Sequence, residues 1–177
     1  THSEYKSPIK IDSSVTIKAA IFNTDRKQLG GVLDQKVKLH KAVGKKISLN
    51  VKPDKGYNAG GKQALINGIS GNNKRYGDKE WLGFSGDDVE IIIKFDIATK
   101  INSIATRFFN KTNQWIYVPK TLNLELTLED GSIISSKNTV KNDNSLLVNF
   151  NLNMAAFYPK NKKTKTTQLK ITIPNYG

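Results

Sequence analysis

The sequence has no cysteine, which excludes a disulfide scaffold, thiolate metal sites and a cysteine nucleophile. Histidine is almost as scarce: His2 and His40 are the whole supply, leaving next to no room for a zinc centre built from several imidazoles. Only Arg26, Arg75 and Arg107 among the 28 basic residues are arginine. Nucleic-acid readers rely on the arginine fork for base and phosphate contacts, so a nucleic-acid partner is not expected. No apolar run approaches the ~18–20 residues of a transmembrane helix, and membrane insertion is not expected either. No signal peptide opens the chain, which starts on the polar run Thr1-His2-Ser3-Glu4; the expectation is a piece cut from a longer precursor. Nucleophile elbow, phosphate-binding glycine loop and His-Glu-x-x-His are all missing. No stretch of a dozen residues carries a helical apolar stripe.

Lysine is what the chain has in excess. It supplies most of a net charge of +13 over 177 residues. Lys18, Lys38, Lys94 and Lys170 alternate with apolar neighbours, the pattern of a sheet's solvent face. Denser runs span Lys36 to Lys46 and Lys160 to Lys165. Solvated faces are the favoured reading of these runs, with a polyanion-binding patch as the alternative. At 37% hydrophobic residues the core is lean, and the length suits one domain or one domain plus a fragment.

Period-two alternation runs through 15–21, 47–51, 89–95, 146–152 and 169–173. Its cleanest instance is Leu122-Asn123-Leu124-Glu125-Leu126-Thr127-Leu128, with four leucines on one face and polar residues on the other. Turn signals stand between the runs at Asn72-Asn73, Gly77-Asp78 and Asn142-Asp143-Asn144, and Asp130-Gly131 reads as a hairpin turn. The one helix candidate is short, around Gln63 to Ile69. Many short strands with polar turns define an all-β, antiparallel sandwich. Two strands, about Ser14–Phe22 and Val32–Leu39, precede a break near residues 40–46. They are too few for a core of their own, so 1–43 reads as the remnant of a second small β domain, or packs on the main one.

Acidic pairs at Asp87-Asp88 and Glu129-Asp130 are chain neighbours, and neighbours on a strand point to opposite faces, so neither makes an acid/base couple. Asp87-Asp88 reads as a turn before the next strand, with a calcium-ligating loop as the weaker alternative. From Tyr57 to Asp88 seven glycines and four aromatics fall within 32 residues. That composition marks a built loop. Aromatics on rigid loops can stack on the apolar face of a sugar while Asn, Arg and Asp bond its hydroxyls. Phe84 reads as a core anchor, and Trp81 is balanced between anchor and stacking platform.

The runs Gly60-Gly61, Ala64-Leu65, Asn67-Gly68, Tyr76, Trp81-x-Gly83-Phe84 and Gly86-x-Asp88, then Trp115-Ile116 and Pro119, resemble a discoidin-type (galactose-binding-like) β-sandwich. The match covers about 44–177 and is nearest to the copy appended to bacterial family 20 glycoside hydrolases, the β-N-acetylhexosaminidases or chitobiases. Tyr5 to Leu39 resembles the end of the small immunoglobulin-like domain that often precedes it. The resemblance implies a jelly-roll sandwich over 44–177 behind an immunoglobulin-like remnant over 1–43. It implies a non-catalytic C-terminal module of a secreted, periplasmic or cell-surface enzyme, whose partners are the catalytic domain of the same polypeptide and a glycan. A purely structural module and a polyanion-binding domain are the alternatives. The family usually has Asp-Gly where this chain has Asn67-Gly68, so no cofactor is assumed; Asn67, Asp87 and Asp88 are weak candidates for a structural calcium. Family members also run on past the strand at 169–173, which leads to the expectation of an unpaired sheet edge beside that strand, kept soluble by Lys160–Lys165. Family ligands meet the loops at one end of the sandwich, which selects Arg75, Tyr76 and Trp81 on one loop and Asn110, Asn113 and Trp115 on another. Arg75 and Tyr76 rank first because their neighbours are polar. Trp115 alternates with Tyr117, which favours a core position for it.

Overall fold

The computed structural model describes residues 3–158 and 164–176. Nine strands are present among them: β1 (Val15–Phe22), β2 (Gln28–Val37), β3 (Lys46–Leu49), β4 (Val89–Thr99), β5 (Ser103–Phe109), β6 (Thr121–Leu128), β7 (Ile133–Thr139), β8 (Leu147–Asn153) and β9 (Thr166–Ile173). Helical structure is confined to single 3-10 turns. The one at Lys62–Leu65 replaces the expected helix over Gln63–Ile69.

Five strands form one sheet in the order β3-β4-β9-β6-β7, and β5 pairs with β8 in a second. Every pairing is antiparallel. The two sheets share one core. Leu122, Leu124 and Leu126 of β6 and Ile91 and Ile93 of β4 gather with Ile104 of β5 and Val148 and Phe150 of β8. The four alternating leucines of β6 are 0–6% exposed, which is what period two achieves when one face is covered. Each such burial is worth about 1.5–3 kcal/mol. The chain is thus an all-β, two-layer antiparallel sandwich. Asp130-Gly131 makes the β6–β7 hairpin as its residues dictate: Gly131 sits at φ 81°, and the Asp130 carboxylate accepts from the Ser132 amide at 2.9 Å.

Two strand expectations need correction. β2 begins at Gln28, not Val32, because the strand continues past Gly30 and Gly31 with a register shift opposite Ala19–Ile21. The open edge expected beside 169–173 is not there. β9 is central, paired with β4 on one side and β6 on the other; its alternating Leu169 and Ile171 are buried. Lys160, Lys162 and Lys163 of the basic run lie outside the described residues, as does His2.

β1 and β2 form a separate hairpin. Directly opposed residues share a face, so Val15 with Val37, Ala19 with Leu33 and Ile21 with Leu29 line one side, while Lys18 meets Asp34 on the other. Leu33 and Ile21 are 61% and 71% exposed. Immediately after β2 the chain is tied to the sandwich: the Lys38 amide donates to the Gly68 carbonyl at 2.8 Å, Lys41 Nζ donates to the Lys100 carbonyl, and Ala42 packs on the core.

Candidate functional site

The register sets the start of β4 beside the end of β9, and the end of β9 beside the start of β6. The ends of β3 and β7 join them. The long connections 50–88, 110–120 and 140–146 therefore collect at one end of the sandwich, together with the segment 174–176.

The 71–81 loop is fixed from beneath by a residue that sequence reasoning missed. Arg107 of β5 donates from one terminal nitrogen to the Gly71 carbonyl at 2.8 Å and from the other to Asn73 Oδ1 at 2.9 Å. Its guanidinium lies 5.0 Å from the Trp81 ring centroid. Loss of water lowers the Arg107 pKa while Asp78 opposes that shift; an arginine stays charged regardless. Trp81 packs edge-on against Phe109 at 5.4 Å and donates from Nε1 to the Asn72 carbonyl at 3.0 Å. Position 71 must be glycine, since a Cβ there would stand 2.4 Å from Trp81 Nε1. Trp81 is half-buried and serves as the loop's anchor, as does Phe84, which packs on the core.

Tyr76 does not stand free, contrary to its expected rank. Its ring meets Phe109 edge-on at 5.3 Å, and its hydroxyl donates to Gln114 Oε1 at 2.6 Å. That bond joins the 71–81 loop to the 110–116 loop. Arg75, next in the chain, is exposed. The Asn110 amide nitrogen is committed to the neighbouring connection, donating to the Ser145 carbonyl at 3.1 Å and to Asn142 Oδ1 at 3.3 Å.

Trp115 departs furthest from expectation. It is not in the core; it is 85% exposed. The alternation with Tyr117 misleads because the chain reverses here. Lys111 and Ile116 bridge antiparallel, exchanging bonds of 2.9 and 3.2 Å, while Gln114 N reaches Lys111 O at 2.8 Å and Trp115 N reaches Thr112 O at 3.0 Å. Closing so short a loop sets Trp115 at φ 59°, ψ 27°, the left-handed region. A bulky side chain there costs about 1–2 kcal/mol, and the four backbone bonds hold it. Asn113 lies exposed on the same turn.

The chain's last described residues close this end. Asn175 donates from its backbone to Asp88 Oδ1 at 2.7 Å and from its side chain to the Gly86 carbonyl at 2.8 Å. Tyr176 stacks on Tyr117 with centroids 4.6 Å apart and planes 13° from parallel.

Two of the three calcium candidates, Asn67 and Asp88, are hydrogen-bonded within the fold. Asn67 donates from Nδ2 to Glu80 Oε2 at 2.6 Å and accepts from the Ile69 amide, so an N–H already serves the carboxylate that a cation would need. Asp88 is held by Asn175, and Asp87-Asp88 is the turn ahead of β4. Among the described residues no three His, Cys, Asp or Glu side chains gather where they would hold a metal ion. No helix among them is long and apolar enough to cross a membrane.

No family model matches this chain, and no curated protein does. Among solved structures it is similar to the lectin domain of lectinolysin complexed with Lewis B antigen, at 12% identity and a TM-score of 0.47, over 76% of this chain and 84% of that one. A His 62 mutant of the lectin-binding domain of lectinolysin, complexed with Lewis b, is similar at 14% identity and a TM-score of 0.46, over 78% and 88%.

Proposed function

We propose that the chain is a non-catalytic module that binds carbohydrate at the loop end of its sandwich, with Trp115 as the stacking platform. One observation carries the reading: a tryptophan 85% exposed on a backbone that four hydrogen bonds hold in an unfavourable conformation. Burial does not explain the ring, and a glycine would suit the backbone better. Stacking on the C–H face of a sugar does explain it. Asn113 on the same turn and Arg75 on the loop that Tyr76 ties to it are the hydroxyl-bonding groups of this reading. A few wet hydrogen bonds and one stacked ring give affinity near the millimolar end, roughly −4 kcal/mol.

A second reading, a module that only buttresses an adjoining domain, draws on Tyr76 and Trp81, whose hydroxyl and indole N–H are engaged within the fold, and on Asn110, whose amide nitrogen is. The sequence resemblance supplies the setting for either: residues 44–177 as an accessory unit of a secreted, periplasmic or cell-surface β-N-acetylhexosaminidase-like enzyme, and 1–43 as part of a preceding β domain. The uncovered apolar face of the β1–β2 hairpin fits a neighbour in the same polypeptide. On this reading the chain alone does not turn over a chromogenic N-acetylglucosaminide.

A glycan array probed with the full chain and with Trp115→Gly decides between the two readings. Glycine removes the ring and relieves the left-handed backbone. The expected result is binding lost with a thermal midpoint unchanged or raised. An array with no hits leaves the buttress reading in place.

A further inference from the structure

Resting on the carbohydrate reading, we infer that the ligand is an anionic glycan, one bearing sulfate or carboxylate groups, and that Arg75 with Lys74 selects it. The two joined loops and Arg107 beneath them carry five cations, Lys74, Arg75, Lys79, Lys111 and Arg107, against two carboxylates, Asp78 and Glu80.

Both carboxylates accept hydrogen bonds from within the 50–88 connection. Asp78 accepts from the Asn72 amide at 2.6 Å through one oxygen and from the Glu80 amide at 3.0 Å through the other. Its charge acts on Arg107. Glu80 accepts from Asn67 Nδ2 at 2.6 Å. None of the ion pairs among the described residues involves Lys74, Arg75, Lys79 or Lys111, and Lys74, Arg75 and Lys79 are exposed. Those bonds fix the carboxylates without cancelling their charge, so five cations against two carboxylates leave this end a net charge of +3, with Lys74, Arg75 and Lys79 open to solvent.

Position matters as well as charge. Arg75 and Trp115 are the chain neighbours of Tyr76 and Gln114, the residues whose side chains join the loops at 2.6 Å. A guanidinium binds a carboxylate or sulfate through two parallel hydrogen bonds. The indole face meanwhile takes the apolar side of the same sugar. A neutral sugar would gain the stacking and leave the cations unused.

The test uses the full chain in physiological salt. Calorimetry compares a heparin octasaccharide with the same octasaccharide fully desulfated and N-acetylated, alongside an array of neutral and acidic glycans. The expected result is at least tenfold tighter binding of the sulfated form or, on the array, of a sialylated or uronic-acid glycan over its neutral counterpart. Lys74→Gln with Arg75→Gln should remove most of that advantage, and Trp115→Gly should weaken whichever form binds. Equal affinity for charged and neutral forms, or an array whose hits are all neutral, overturns the inference and leaves the carbohydrate reading standing. Heparin binding that ignores Trp115→Gly reduces the interaction to surface charge, screened over about 8 Å at physiological salt, and also overturns it. Silence from every probe overturns both.

Discussion

At the scale of single residues the loop end divides into side chains that hold it and side chains that it displays. Trp81 holds and Trp115 is displayed, where the sequence left Trp81 balanced and inclined Trp115 toward the core. Alternation with Tyr117 pointed Trp115 inward, but alternation assigns faces only within a strand, and the Lys111–Ile116 bridge turns this segment into a reversal. Arg107 escaped notice because β5 itself was not legible as a strand, so nothing in the sequence placed this residue beneath the loop. The glycines gave a better lead: Gly71 is needed because an indole lies on it. Replacing Gly71 by Ala should cost about 1–3 kcal/mol through overpacking. In a Trp81→Leu background the same change should cost much less, since the clashing atoms are gone. Denaturant unfolding of the four proteins measures the coupling, and equal costs in both backgrounds would show that the clash relaxes elsewhere.

Among the elements, the strands with one covered face were legible. β4, β6, β8 and β9 alternate because each lays one side on a shared core. β5 and β7 were not. β7 lies at a sheet edge and offers that core only Ile134 among its hydrophobics, and β5 interrupts its pattern with Thr106 and Arg107. β9 was seen as a strand but misplaced at an edge, because sequence order does not reveal that β9 inserts between β4 and β6. The β1–β2 hairpin was also legible, yet a face bearing Ile21 and Leu33 lies uncovered. A two-stranded hairpin is marginal by itself. Removing residues 1–37 should therefore leave one cooperative transition with a midpoint within a few degrees of the full chain's, because the ties from Lys38 onward remain. Collapse of the transition would mean that the hairpin supports the sandwich.

For the whole molecule, charge sets the response to pH. Asp96 is held below the usual carboxylate range by its bond to Lys45 and by that residue's charge, and Asp143 by its bonds from Ser145. A carboxyl lowered in the folded state contributes stability that is present above its unfolded value, about 4, and is lost as the pH falls through the folded value. Lys170 is raised by its bond to Glu90. Its contribution is present below the unfolded value, about 10.4, and is lost as the pH rises through the folded one. The thermal midpoint should be highest between these limits and fall beyond each. Acid should also swell a charge that is already +13 at pH 7, adding self-repulsion. Asp96→Asn and Asp143→Asn should make the acid limb shallower; an unchanged limb would assign the loss to general repulsion.

The contrast between the two tryptophans also makes the chain its own optical probe. They are its entire complement, and they sit in opposite surroundings, one open to solvent and one half-buried against a guanidinium. A soluble anion such as iodide should extinguish the emission of Trp115 readily, drawn in by the neighbouring cations, and touch Trp81 far less. A sugar settled on Trp115 should shield it. The Trp115→Gly protein should then emit with the quench-resistant signal alone, so occupancy of the loop end can be followed without any label.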